Sequence, residues 1–283
     1  MGDAASITAM NKLSLAQLTI NDACGPALIE AAAAAGFDAV GLRVVSPAGV
    51  AQHPPIAGNE ALLREVERSL AATGLAVLDV NSFWITPQTT VEHFRPVIEA
   101  ALRLRAPHIL VVIDDRNLVR SRVVFAECAA AAAAAGLRIA LEFQPYGAIP
   151  SLAAALDVAT GLGNVGIVLD TLHVCRSGAT PAEIAALPSD TLAFVQLCDA
   201  PLAAPPFDQL RVESRGHRLL PGEGELPLFA LMDALPDGMT LDIETPNLTV
   251  QHLPHAEQAR RACDAARRFL AACKAGRTAS KPA

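Results

Sequence analysis

Eight short apolar runs rich in β-branched residues, most followed by a longer alanine-rich or amphipathic stretch, set the strongest limit on what this chain can fold into. The runs lie at 12–20, 39–44, 76–81, 108–113, 138–143, 165–170, 192–199 and 240–245, and helices are expected at 25–35, 59–73, 89–104, 117–135, 151–161, 180–187 and 255–273. Strands alternating with helices predict parallel βα units, and eight of them in 283 residues suit one α/β domain, a single (β/α)8 TIM barrel. A doubly wound sheet would carry a Gly-rich phosphate loop after its first strand, and no GxGxxG or P-loop is present. Gly36, Gly74, Gly136, Gly161 and Gly163 stand where helices should close before the next strand. The run "AECAAAAAAAGL" reads as a helix, because alanine is the best helix former. No Pro/Ser-rich linker divides the chain, so the barrel domain is expected over 11–274, with flexible ends at 1–10 and 275–283.

With 52% hydrophobic and 18% charged residues the chain can build a large core. A net charge of -7 argues against nucleic-acid and anionic-membrane partners, which require a basic stripe, and points to a small-molecule partner instead. Six scattered cysteines without a CxxC pair suit a reducing compartment, and no signal-like or membrane-length apolar run is present; a cytoplasmic protein is expected.

In a (β/α)8 barrel, functional groups sit at the C-terminal ends of the strands. There the last four runs carry Glu142, Asp170, Gln196 and Glu244, three carboxylates and an amide oxygen. One strand-end carboxylate is more often a helix cap or an ion-pair partner. Four oxygen donors on consecutive strands converge on one point, where a divalent cation relieves their repulsion. All-oxygen ligation suits a hard ion such as Mn2+, Mg2+ or Co2+, with two coordination positions left for adjacent substrate oxygens.

The segments "LEFQP" with Glu142, "LDTLHV" with Asp170 and His173, "VQLCDA" with Gln196 and Asp199, "HRLLPGEGELPL" at 217–228 and "LDIETP" with Glu244 resemble the xylose isomerase-like TIM-barrel superfamily of sugar isomerases, epimerases and dehydratases. The resemblance is clearest over 138–246. It implies one divalent metal on Glu142, Asp170, Gln196 and Glu244, with His173 facing the substrate and Arg218 holding its oxygens or carboxylate. Many epimerases of that superfamily carry His at the third metal position, where this chain, like several dehydratase-like members, has Gln196. Dimers and tetramers are common in it, so a homo-oligomer is expected.

Metal-polarised carbonyl chemistry needs groups that move protons, for which Glu142, Glu244 and His173 are the catalytic candidates. Arg215, His217 and Trp84 are candidates for substrate contact, Phe83 for walling the site beside Trp84, and Asp199 for support behind the metal ligands or as a turn cap. Arg43, Asp114, Asp115 and Arg116 are within reach only; His53, His93 and His252 look like surface residues. The leading expectation is a sugar isomerase or epimerase working through an enediolate on a small ketose or polyol. Its rival is a dehydratase of a cyclic polyhydroxy ketone of the inosose or 3-dehydroshikimate type. An abasic-site endonuclease would need more histidines and a basic surface, and a binding-only barrel would not keep four competent donors.

Overall fold

The computed structural model describes residues 11–46 and 53–279, and within them eight parallel strands hydrogen-bond in chain order into one closed ring. They are β1 (Leu13–Ala16), β2 (Ala39–Arg43), β3 (Ala76–Ile85), β4 (His108–Ile113), β5 (Arg138–Glu142), β6 (Val165–Asp170), β7 (Leu192–Leu197) and β8 (Leu241–Ile243). β1 closes the ring by pairing Leu13, Ser14 and Leu15 with Leu241, Asp242 and Ile243. The helices are α1 (Gly25–Ala35), α2 (Glu60–Thr73), α3 (Val91–Arg103), α4 (Leu118–Ala134), α5 (Leu152–Ala159), α6 (Thr171–Ser177), α7 (Pro181–Ala185), α8 (Leu210–Gly216), α9 (Leu228–Ala234) and α10 (His255–Ala279).

Successive side chains of a strand point to opposite faces, and that alternation builds two cores. Outward residues such as Val40, Leu42, Ile109, Val111, Ile139 and Leu141 pack in the large core shared with the helices. Inward residues such as Leu110, Val112, Ala140, Val168 and Phe194 fill the barrel itself. Burying a large apolar side chain there contributes about 1.5–3 kcal/mol, so the site rests on a stable plug. Two residues beyond Ala140, Val168 and Phe194, on the same inward face, stand Glu142, Asp170 and Gln196.

Three departures from the sequence expectation have physical causes. The first strand stops at Ala16 and becomes a 3-10 turn, Gln17–Ile20, because the Gln17 amide donates to the Ile20 and Ala23 carbonyls and turns the chain early. The segment 200–239, where the sequence predicts no helix, contains α8 and α9, each seven residues long and too short to show helical periodicity. The last helix continues past 273 to Ala279 where a frayed tail is expected; no proline interrupts the chain until Pro282. The expected flexible N-terminus 1–10, and residues 280–283 of the tail expected over 275–283, lie outside the described residues. Among the described residues no helix is long and apolar enough to cross a membrane, and all six cysteines are free thiols.

Candidate active site

The inward face of β5, β6 and β7, with the residue just past β8, forms an acidic floor at the C-terminal end of the barrel. Glu142, Asp170, Gln196 and Glu244 are all buried there. Asp170 does two jobs. Its Oδ1 accepts hydrogen bonds from the Leu172 and His173 amides at 2.8 and 3.0 Å, capping α6, while its Oδ2 accepts from Arg218 at 2.5 Å. The same guanidinium lies 3.2 Å from Glu244 Oε2 and donates to the Ser214 carbonyl at 2.7 Å. Gln196 turns its amide nitrogen to Glu244 Oε1 at 3.2 Å, which leaves its buried Oε1 without a partner. On the other side Gln144 donates to Glu142 Oε2 at 3.2 Å, and His173 Nε2 lies 3.6 Å from Glu142 Oε1. The His173 ring meets Tyr146 edge to face, and the Tyr146 hydroxyl is 2.7 Å from Ser214 Oγ. These groups open into a cleft with about 740 Å3 of empty space counted out to its solvent edge.

Burial and crowding decide the charges. Burial, then the charges of Glu244 and Asp170, hold the Glu142 carboxyl well above the usual range. Burial pushes Glu244 up to about 8, with Arg218 opposing and Asp170 and Asp242 reinforcing. Burial also works against the Asp170 carboxylate, but Arg218 and His173 more than compensate and keep its pKa low. Burial lowers His173 to about 4, so its imidazole is neutral near pH 7.

The residues fit a divalent cation. Three carboxylates beside one guanidinium carry two uncompensated negative charges when ionised, the charge one such ion supplies. The orphaned Gln196 Oε1 offers an oxygen donor that nothing in the protein satisfies. One ligand atom each from Glu142, Asp170 and His173 lie within 4.8 Å of one another, so His173, which the sequence reading assigned to substrate, stands within reach of the same ion.

Of the expected substrate contacts, Arg215 and Trp84 line the cleft, while His217 is exposed and does not. Arg218 lines it too, but its guanidinium is committed to Asp170, Glu244 and Ser214, so it organises the floor instead of being free for a substrate carboxylate. Phe83 packs on Phe94 in the core instead of walling the cleft. Asp199 touches none of the four floor residues by hydrogen bond. Its carboxylate accepts from the amides of Ala200, Gly222, Gly224 and Leu226, and its backbone pairs with Leu219, so it shapes the PGEGE loop that follows Arg218. A side chain at Gly224 would lie 2.4 Å from Asp199 Oδ1, which is why that loop needs glycine. Asp115 is occupied by Arg120 at 2.7 Å.

Sequence reasoning missed Gln144, Tyr146 and Ser214, which sit in loops and a short helix where no periodicity marks them. It also missed a second polar layer beneath the floor, formed by Ser14, Asp79 and Asp242, all fully buried or nearly so. A Cβ at Gly41 would lie 2.5 Å from Asp79 Oδ1 and 3.5 Å from Asp242 Oδ2, so only glycine leaves room for these carboxyls. The available signal was parity: Asp79 and Asp242 stand two residues before Asn81 and Glu244.

Comparison with known proteins agrees with this architecture. A 3-dehydroshikimate dehydratase of Pseudomonas aeruginosa is 30% identical over 223 residues, covering 73% of this chain and 33% of that protein; the chain thus spans about a third of that relative's length. The IolI protein, solved with a bound zinc atom, superposes with a TM-score of 0.77 at 18% identity over 92% of this chain and 98% of its own. A xylose isomerase-like TIM barrel/4-hydroxyphenylpyruvate dioxygenase fusion protein gives 0.75 at 21% identity, over 97% and 45%. The family model described as xylose isomerase-like TIM barrel matches residues 29–272, and the chain belongs to that family.

Proposed function

We propose that this chain is a metal-dependent dehydratase of a small cyclic polyhydroxy ketone. The observation that carries the reading is His173, neutral and buried on the floor with Nε2 3.6 Å from Glu142. Elimination needs one group that removes a proton beside a carbonyl and returns a proton to the departing β-hydroxyl, and one neutral imidazole can do both on the same face. The similarity to a 3-dehydroshikimate dehydratase over most of the barrel supports it.

Glu142, Asp170, Gln196 and Glu244 would hold one hard divalent ion, Mn2+, Mg2+ or Co2+, which when bound polarises the substrate carbonyl. His173 Nε2 accepts the proton from the neighbouring carbon, and Glu142 stabilises the imidazolium. The C–H electron pair moves into a new C=C bond as the β C–O bond breaks, and the imidazolium proton leaves with the hydroxyl as water. Arg218 keeps Asp170 and Glu244 in place throughout, and Tyr146 fixes the ring of His173. The free thiols support a reducing compartment such as the cytoplasm.

A second reading, an isomerase or epimerase, is favoured by Glu142 and Glu244 approaching from β5 and β8, on different sides of the barrel mouth. Incubation with ketoses and cyclic keto-polyols plus Mn2+ in deuterated water, followed by NMR and ultraviolet absorption, separates the two. A conjugated or aromatic product is expected; solvent deuterium in recovered sugar without such a product would replace the dehydratase by the epimerase.

A further inference from the structure

We propose that Arg43 and Arg215 form an anion-binding subsite facing the acidic floor, so that the substrate carries a carboxylate or phosphate at the end away from its reacting carbonyl. The inference rests on the metal reading above and adds the charge of the substrate to it.

Three other arginines at this end of the barrel have carboxylate partners, whereas Arg116 and Arg211, farther out beside Trp84, have none among the described residues. Arg218 has Asp170 at 2.5 Å, Arg176 has Glu213 at 2.7 Å and Arg120 has Asp115 at 2.7 Å. Arg43 and Arg215 both line the cleft, and neither makes an ion pair among the described residues. Arg43 ends β2 on the inward face; Asn21 Oδ1 accepts from its Nη1 at 2.5 Å, while its Nε is buried without a partner. Arg215, on α8, rests 5.7 Å from the centre of the Trp84 ring, a rigid wall that holds the guanidinium without neutralising it. Burial lowers the pKa of both, and each also feels a like charge, Arg215 at Arg43 and Arg211 at Arg215.

Charge closure points the same way. A divalent ion balances the two excess negative charges of the floor, so Glu142 and Glu244 are no longer available to offset Arg43 and Arg215. Two half-buried guanidiniums then face the cleft with no carboxylate in ion-pair contact and only Asp114 acting on Arg215 from a distance, and an entering anion supplies the paired charge. Their planar forks match the paired oxygens of a carboxylate or phosphate.

The test is calorimetric titration of the Mn2+-loaded protein with three rings of similar size, myo-inositol, quinate and myo-inositol 1-phosphate, with metal content measured on each sample. Arg43→Gln and Arg215→Gln are compared with wild type, and circular dichroism checks their folding. Because Arg215 sits on the cleft side of a short helix, it remains informative if the strand-end substitution at Arg43 impairs folding. At least one anionic ring is expected to bind about tenfold or more tighter than myo-inositol, with that advantage reduced by salt and largely lost in the variants while metal content is unchanged. The anion that gains more identifies the group. Equal binding of all three rings by metal-loaded protein, or an advantage that survives both substitutions, overturns the subsite. An anion preference in protein that takes up no metal overturns the metal reading and leaves the subsite standing.

Discussion

His173 shows how one residue's surroundings select its chemistry. In water an imidazole is partly protonated near neutrality, whereas here burial holds it neutral and ready to take a proton. His173→Ala should lower kcat by about 10²–10⁴-fold with a much smaller change in KM, measured by steady-state kinetics once the substrate is found. Gln196 makes the complementary case. Its nitrogen is held by Glu244, so replacing Gln196 by Leu removes the orphaned oxygen and leaves Glu244 Oε1 without its amide donor, with Arg218 still bracing Oε2. Metal affinity should drop about tenfold or more, read by competition with a fluorescent chelator; unchanged affinity would remove Gln196 from the ligand set.

At the scale of elements, the site depends on how loops are tied to strand ends. Asp199 gathers four backbone amides and thereby fixes the loop after Arg218, whose guanidinium in turn braces Asp170 and Glu244. Asp199→Ala should therefore cost about 2–4 kcal/mol in thermal or urea unfolding and speed hydrogen exchange at Gly222, Gly224 and Leu226. It should also weaken metal binding without touching a ligand. The sequence reading puts Asp199 behind the metal ligands or in a turn, and in the structure it caps a turn and anchors the loop that follows Arg218. That loop's reach was not legible, because amides 23 to 27 residues away in sequence meet the carboxylate only after β7 and the returning chain pair.

For the whole molecule, the charge buried inside the barrel sets its response to pH and metal. Burial pushes the Asp79 carboxyl up to about 7 from an ordinary 3.8. The folded protein thus keeps a proton that the unfolded chain releases near pH 4. That contribution to stability is complete below pH 4 and is lost as pH rises to about 7. Asp79→Asn, neutral throughout, should flatten this decline and melt higher than wild type at pH 8, while the two differ little at pH 4; melting curves across that range check the sign. Adding Mn2+ should raise the melting temperature in proportion to the logarithm of its concentration above Kd, and a chelator should reverse it.

The sequence by itself determined the barrel, through eight short apolar runs alternating with helical stretches, and the four polar positions on strand ends, because a strand's two-residue repeat fixes which side chains share a face. It did not determine that Arg218 is tied into the floor, that Phe83 leaves the cleft, or that Arg43 and Arg215 face it without carboxylate partners. Those facts arise where loops from distant strands meet over the barrel mouth. Loop paths follow from packing and hydrogen bonds between residues far apart in the chain, which local periodicity does not encode, so only the tertiary structure decided them.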